Sequence, residues 1–212
     1  MDRAHHLGQP MIILLPEGGK GPGVVVAHAW WGLNQAIRDY GAKLAKEGFV
    51  VGLPDLFDGQ IADTIEGAEQ LADTDWSPNA GERLRDAIMA LAAHEAVTGD
   101  KVAAVGFSYS GWHLFGLANA PDLPLSRLVI HYATRQIGPQ HVPMLVHFAQ
   151  NDPFESGEDM AEVTKALTAD GPPNAAYTYP GTRHWFVEPD RPEYDADEAA
   201  VAWERTLGFL KG

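Results

Sequence analysis

The length and composition of the chain, 212 residues of which 45% are hydrophobic and 21% charged, fit one globular domain and exclude a disordered or fibrous protein. Fifteen Lys and Arg against 29 Asp and Glu leave a formal net charge of −14, and a field of that sign repels nucleic-acid phosphates and anionic membrane surfaces. Cysteine is absent, which excludes disulfides, thiolate metal sites and a cysteine nucleophile.

Hydropathy predicts no membrane segment. No apolar run approaches the roughly 18 residues that a bilayer-crossing helix needs, and the run Met11–Leu15 is too short for the core of a signal peptide. We therefore expect a cytoplasmic protein with a single domain over residues 1–212, which binds neither nucleic acid nor a membrane. The oligomeric state stays open.

Short apolar runs alternate with longer helix-like stretches along the chain. In chain order, we predict strand Ile12–Leu15, strand Gly23–Ala27, helix Gln35–Glu47, strand Phe49–Leu53, a short helix Thr64–Leu71, helix Ala80–Val97, strand Lys101–Phe107, helix Tyr109–Asn119, strands Leu125–His131 and Met144–Phe148, helix Gly157–Leu167, strand Ala176–Tyr179 and helix Asp197–Leu210. This alternation is typical of an α/β fold with a largely parallel sheet and helices on both faces.

A serine lies in the sharp turn expected between a strand and a helix. Residues Gly106–Gly111 read GFSYSG, and Ser108 stands where a buried strand ends and a helix begins. A nucleophile elbow needs this arrangement, with small residues where the turn brings two backbones together. Gly106 supplies the first small residue, whereas Ser110 occupies the last position of the G-x-S-x-G pattern and Gly111 follows it. From this segment alone, Ser108 is either a nucleophile or the N-cap of the following helix.

An acid and a base follow the serine in the chain order that α/β hydrolases use. Asp152 comes just after the strand that begins at Met144, and His184 lies in the loop between strand Ala176–Tyr179 and the last helix. A serine hydroxyl needs a base to accept its proton, and the base needs a carboxylate to orient it. We therefore predict that Ser108, Asp152 and His184 meet at one edge of the sheet as a catalytic triad. The alternative is three unrelated polar residues in loops.

Two backbone N–H groups are predicted to form an oxyanion hole. Tyr109 follows the serine at the positive end of its helix, where amides favour negative charge. The second donor should come from loop 28–34, after strand Gly23–Ala27, and we assign it to Trp30.

Aromatic side chains crowd the predicted catalytic loops. They predict a pocket for an apolar or aromatic acyl or alcohol group, lined by Trp31, Trp112, Phe154 and Trp185. The alternative is that these rings only pack the core. His28 either lines the same pocket or braces the oxyanion loop. The nine histidines show no metal-ligand spacing, so no metal is predicted.

These motifs together resemble the dienelactone hydrolase family. The resemblance covers nearly the whole chain and rests on VVVAHAWWGLN, VVGLPDLFDGQ, the GFSYSG elbow, FAQNDPF around the acid and YPGTRHWF around the base. It implies the α/β-hydrolase fold and hydrolysis of lactones or small esters without a cofactor.

Three positions depart from the pattern that the resemblance implies. Family members typically carry cysteine where Ser108 stands, and a glutamate that helps to activate this thiol where Ala29 stands. The two changes fit together, because a hydroxyl relies on histidine as its base. A glutamate that helps to activate a thiol is then not needed. Members that cleave dienelactones place an arginine for the substrate carboxylate at the position of Glu188. An acidic residue there would repel a carboxylate-bearing lactone, so we expect a different substrate.

The leading hypothesis is a serine hydrolase that cleaves a small carboxylic ester or lactone through an acyl-enzyme on Ser108. One alternative is an acyl transferase or peptidase with the same triad. The other is a non-catalytic binding protein on the hydrolase fold. The natural substrate, the choice between ring and open-chain esters, and movement of residues 55–78 as a lid stay open.

Overall fold

The computed structural model describes residues 11–73, 79–136, 138, 141–169, 171 and 173–212. Its strands are β1 (Met11–Leu14), β2 (Gly21–Ala27), β3 (Val50–Pro54), β4 (Val97–Phe107), β5 (Leu125–His131), β6 (Met144–Ala149) and β7 (Ala175–Tyr179). Its helices are α1 (Gln35–Lys46), α2 (Ile65–Asp73), α3 (Ala80–Ala92), α4 (Tyr109–Leu117), α5 (Gly157–Thr168) and α6 (Ala196–Lys211).

The strands form one sheet in the order β1-β3-β2-β4-β5-β6-β7. All neighbouring pairs are parallel except β1 and β3, where Met11 faces Pro54 in an antiparallel edge. The carboxyl ends of β2 and of β4 to β7 therefore lie along one edge of the sheet, the edge at which ligands bind in open α/β folds.

Apolar residues cover both faces of the sheet, as expected for strands with continuous β-branched runs. Successive residues of β2 alternate between the two core clusters, so Val24 belongs to one cluster and Val25 to the other. The first cluster includes Ile37 of α1 and Trp203 of α6, and the second includes Leu84 of α3 together with residues of α4 and α5. The predicted α/β fold with helices on both faces is confirmed.

One helix boundary in the prediction is wrong. Helix α3 ends at Ala92 and not at Val97, and β4 begins at Val97 and not at Lys101. The chain turns through His94, whose carbonyl accepts from Val97 N, and Gly21 N donates to Ala96 O at the start of the β2–β4 ladder. The bond from Gly21 is a long-range backbone bond, whereas local helix propensity alone would continue the helix. The other boundaries agree with the predicted ones within two residues.

None of the helices within the described residues is long and apolar enough to span a bilayer.

Candidate active site

Ser108 occupies a strained turn between β4 and α4. Its φ of 48° lies in the left-handed region, which a side chain adopts at a cost and which is concentrated at functional sites. Its N–H donates to the carbonyl of His131 on the neighbouring strand, over 2.9 Å. A Cβ on Gly106 would lie 2.9 Å from the backbone N of Gly111, so the two glycines let the strand and the helix approach. The sharp turn predicted from GFSYSG is present.

Ser110, which stands where the elbow pattern has its last glycine, forms hydrogen bonds to two different segments of the chain. It is fully buried. Its Oγ accepts from Phe107 N over 3.0 Å and donates to Ala27 O over 2.7 Å. The hydroxyl therefore links the turn to the end of β2, a contact that a glycine at this position could not make. The elbow pattern alone does not reveal this role of Ser110.

The structure brings the three predicted triad side chains together. The Ser108 hydroxyl donates to His184 Nε2 over 2.8 Å, and His184 Nδ1 donates to Asp152 Oδ2 over 2.7 Å. Ser108 makes no side-chain capping bond to α4, so its N-cap interpretation is not supported. Both the imidazole and the carboxylate are shielded from solvent. This is the geometry in which an imidazole can accept the serine proton.

The carboxylate of Asp152 is itself fixed by the backbone. Its Oδ1 accepts from Phe154 N over 2.9 Å and from Glu155 N over 3.1 Å, which leaves Oδ2 for His184. Because an ionised carboxylate only accepts, the proton of the neutral imidazole belongs on Nδ1, and Nε2 presents its lone pair to Ser108.

The loops that carry the acid and the histidine are joined to each other. Asn151 N donates to Thr182 O over 2.9 Å, and Gly181 N donates to the side chain of Gln150 over the same distance. These bonds fix the turn after β6 against the turn after β7, and they hold Asp152 and His184 in register. Gln150 and Thr182 were not predicted, since the residues after strands carry no local signal of pairing with each other.

The two amides assigned to an oxyanion hole lie at the same edge of the sheet. Tyr109 is the first residue of α4, directly after the serine, and Trp30 follows β2, the strand next to β4. First-turn amides point along the helix axis towards its positive end. Placement at neighbouring strand ends is consistent with the assignment.

His28 braces the loop that contains Trp30. Its ring is fully buried; Nδ1 donates to Ala29 O over 2.6 Å, and Nε2 accepts from Leu56 N over 2.9 Å. Burial lowers the pKa of His28 to about 4, so the ring is neutral and can make both bonds at physiological pH. This placement favours bracing over lining the substrate pocket.

Part of the stretch considered as a lid is attached to the same loop. Leu56 N is bonded to His28, and Ala62 N donates to Trp31 O over 3.0 Å. Arg83 of α3 pairs with Asp58 over 2.9 Å. These contacts hold the first half of the stretch in place, whereas residues 74–78 lie outside the described residues.

Gly32→Ala should destabilise the protein more than Gly59→Ala. Both glycines have a left-handed φ, +88° and +84°, so alanine at either carries a backbone cost of roughly 1–2 kcal/mol. A Cβ on Gly32 would also lie 2.2 Å from Gln60 O, whereas nothing lies within 4 Å of one on Gly59. We expect a further loss of roughly 1–3 kcal/mol in the free energy of unfolding for Gly32→Ala, measured by urea denaturation. Equal losses would contradict the loop packing described here.

Four aromatic rings cluster beside the triad. Ring centroids of Trp30, Trp31, Phe154 and Trp185 lie 5.0–6.1 Å apart in five pairs. The His184 ring lies 4.9 Å from Phe154 and 5.0 Å from Trp185. Phe154 is 47% exposed, while Trp31 and Trp185 are buried. The cluster thus offers an apolar surface next to the imidazole.

Trp112 does not join this cluster. Its ring is 45% exposed on α4 and lies under the guanidinium of Arg135, 4.0 Å from the ring centroid. The prediction grouped it with the other rings because it follows Ser108 closely in sequence, but its ring packs against Arg135 and His113 instead.

Glu188 is buried and does not carry an exposed negative charge at the mouth of the site. It is 1% exposed, and its Oε1 accepts from the hydroxyl of Tyr132 over 2.5 Å. Burial raises the pKa of Glu188 to about 8, so it is mostly protonated at neutral pH. The expectation that Glu188 repels an anionic substrate therefore lacks its basis. Tyr132 was not among the predicted site residues.

Comparisons with known proteins agree in family and fold. The model of the dienelactone hydrolase family matches residues 10–212. A protein of Aquifex pyrophilus named Protein usf is 30% identical over 214 residues, which cover 94% of this chain and 91% of the relative. The carboxymethylenebutenolidase of Pseudomonas sp. (strain P51) is 28% identical over 220 residues, covering 93% and 87%. A dienelactone hydrolase-like promiscuous phosphotriesterase from metagenomic libraries superposes with a TM-score of 0.80 at 26% identity, covering 95% of this chain and 91% of that one.

Proposed function

The chain belongs to the dienelactone hydrolase family, and from this we propose that it is a serine hydrolase that cleaves small carboxylic esters or lactones through an acyl-enzyme. The observation that carries the proposal is the imidazole of His184, with Nδ1 on Asp152 and Nε2 on the Ser108 hydroxyl. The family supports the reaction class, and this geometry supports the choice of nucleophile.

In the proposed mechanism, Ser108 Oγ attacks the substrate carbonyl as its proton passes to His184 Nε2. Asp152 keeps the Nδ1 proton in place and stabilises the imidazolium that forms. The amides of Tyr109 and Trp30 bind the oxyanion of the tetrahedral intermediate, each with an effect of roughly 3–4 kcal/mol in comparable sites. The imidazolium then protonates the leaving alkoxide, and water resolves the acyl-enzyme by the same route. None of these reaction steps requires a cofactor.

The aromatic cluster supports an uncharged substrate with an apolar or aromatic group. Trp30 and Phe154 present ring surface beside His184, the residue that protonates the leaving group. Arg191, a basic side chain that contacts this cluster, is already stacked 4.2 Å from the Trp31 ring centroid and paired with Asp190. We therefore expect burial of an apolar substrate group to contribute more to substrate binding than an ion pair with the protein would.

A fluorophosphonate probe tests the proposal. Because an activated serine attacks phosphorus as it attacks a carbonyl, we expect one adduct per chain, mapped by mass spectrometry to Ser108, with parallel loss of p-nitrophenyl acetate hydrolysis. The exposed Ser156 at the start of α5 should stay unlabelled and serves as the internal control. An unlabelled Ser108 in folded protein would refute the serine hydrolase and favour the binding protein.

An acyl transferase or peptidase would give the same adduct. Product analysis with competing alcohol, amine and amide acceptors separates these activities from hydrolysis, because the acceptor is the only chemical difference. A cytoplasmic location also stays a prediction from the sequence.

A further inference from the structure

Tyr132 is the residue that connects β5 to the imidazole. It directly follows His131 at the carboxyl end of the strand, and it is fully buried. Its ring centroid lies 4.7 Å from that of His184, and its N–H donates to His147 O over 2.7 Å. The ring therefore forms part of the wall against which the imidazole rests.

Glu188 connects Tyr132 to the loop that bears the histidine. Its Oε1 accepts from the Tyr132 hydroxyl over 2.5 Å, and its N–H donates to Trp185 O over 2.8 Å. The carboxyl thus closes a ring of contacts: from His184 along the chain to Glu188, across to Tyr132, and through the tyrosine ring back to the imidazole.

Two residues in this ring of contacts have strained backbones. Tyr132 has a φ of 39° and Trp185, the residue after His184, has a φ of 69°. Side chains in the left-handed region persist only where their surroundings fix them, and such strain concentrates where it serves function. The Tyr132–Glu188 hydrogen bond spans the two strained positions and is placed to hold both.

We propose that Glu188, acting through Tyr132, is a positioning residue that holds the His184 ring in the orientation in which Nε2 faces Ser108. The inference rests on the proposed function, since it concerns the same triad. Glu188 acts as a hydrogen-bond acceptor and not as a charge.

The protonation of Glu188 supports the role of acceptor. Burial raises the pKa of its carboxyl to about 8, against the opposing effects of the hydrogen bond from Tyr132 and of Arg191, and Asp190 and Glu193 raise it further. At neutral pH the side chain is mostly the uncharged acid, and glutamine is close to it in shape and charge. Leucine has a similar volume but no acceptor.

Glu188→Gln and Glu188→Leu separate these requirements. We expect Glu188→Gln to keep kcat for p-nitrophenyl acetate within about threefold of wild type, and Glu188→Leu to lower it by about 10- to 100-fold, as for a displaced catalytic group. KM should change little, because neither residue contacts the substrate. Tyr132→Phe, which keeps the ring against His184 and removes only the hydroxyl, should show the same loss of kcat as Glu188→Leu.

The double variant Tyr132→Phe/Glu188→Leu shows whether the two residues act as one unit. If they do, its kcat equals that of either single variant, whereas independent effects would multiply. Thermal unfolding of each variant shows whether it is folded at the assay temperature. For any variant that is not folded there, the assay is repeated at a lower temperature with wild type alongside.

The rate of Ser108 phosphonylation by a fluorophosphonate separates failure of this inference from failure of the proposed function. The rate reports serine activation by His184 and should fall in Glu188→Leu and Tyr132→Phe in proportion to kcat. Wild-type protein that neither hydrolyses esters nor reacts would overturn the proposed function. Reactive wild type with unchanged rates in folded Glu188→Leu, or a Glu188→Gln as slow as Glu188→Leu, would overturn the positioning role.

Discussion

Ser108→Ala should lower kcat for p-nitrophenyl acetate by roughly 10⁴- to 10⁶-fold while leaving the protein folded. The substitution removes the oxygen that forms the acyl-enzyme, and His184 would have no hydroxyl to deprotonate. The fold should survive because the turn depends on backbone bonds and on Gly106 and Gly111, not on the Ser108 side chain. Alanine at a φ of 48° carries the same backbone strain as serine.

Steady-state kinetics, with circular dichroism and thermal unfolding on the same samples, measure this result. Ser156→Ala is the matched control, because it removes an exposed hydroxyl that caps α5 far along the chain from the elbow. Its kcat should equal that of wild type although its stability falls by roughly 1 kcal/mol. Folded Ser108→Ala with kcat within tenfold of wild type would remove Ser108 from the mechanism.

Asp152→Asn should lower kcat by roughly 10³- to 10⁴-fold, because the surrounding backbone forces the asparagine amide into one orientation. Phe154 N and Glu155 N both donate to Oδ1, so the carbonyl oxygen of asparagine must take that position. The NH₂ group then faces His184 Nδ1 and donates to it. This places the imidazole proton on Nε2, which can no longer accept the proton of Ser108.

Asp159→Asn makes the same change of charge on α5 at an exposed position and controls for it. The kcat of Asp159→Asn should stay near the wild-type value. KM for the neutral ester should change little in both Asp152→Asn and Asp159→Asn. The imidazole protons, observed by NMR in the two proteins, should move from Nδ1 to Nε2 only in Asp152→Asn. A kcat for this variant within tenfold of wild type would show that the carboxylate does not orient the base.

Topology explains why much of the site was predictable. Once the chain reads as parallel strands alternating with helices, residues after β4, β6 and β7 must lie at one edge, whatever the loops do in detail. The meeting of Ser108, Asp152 and His184 follows from that rule together with their chain order, and their catalytic roles remain a prediction. The end of α3 was not predictable, because it depends on Gly21, which lies far away in sequence.

Side-chain direction explains most of what the sequence did not reveal. The exposure of Trp112 depends on which side chains pack against α4, and the burial of Glu188 depends on loop conformation. The pairing of Glu188 with Tyr132 additionally needs a left-handed tyrosine, for which the local sequence has no signal. His28 was predicted with two alternatives, and the contact that favours one of them comes from Leu56, after the next strand.

The bond from Ser110 to Ala27 links two segments that the proposed mechanism uses together. Ala27 is the last residue of β2, immediately before the loop that carries Trp30, and Ser110 lies two residues after the nucleophile. The Ser110 hydroxyl thus links the segment that carries Ser108 Oγ, the attacking oxygen, to the segment that carries the Trp30 amide, which would bind the oxyanion. We expect thermal motion to displace the elbow and the loop after β2 together, which would keep the distance between Ser108 Oγ and the Trp30 amide nearly constant.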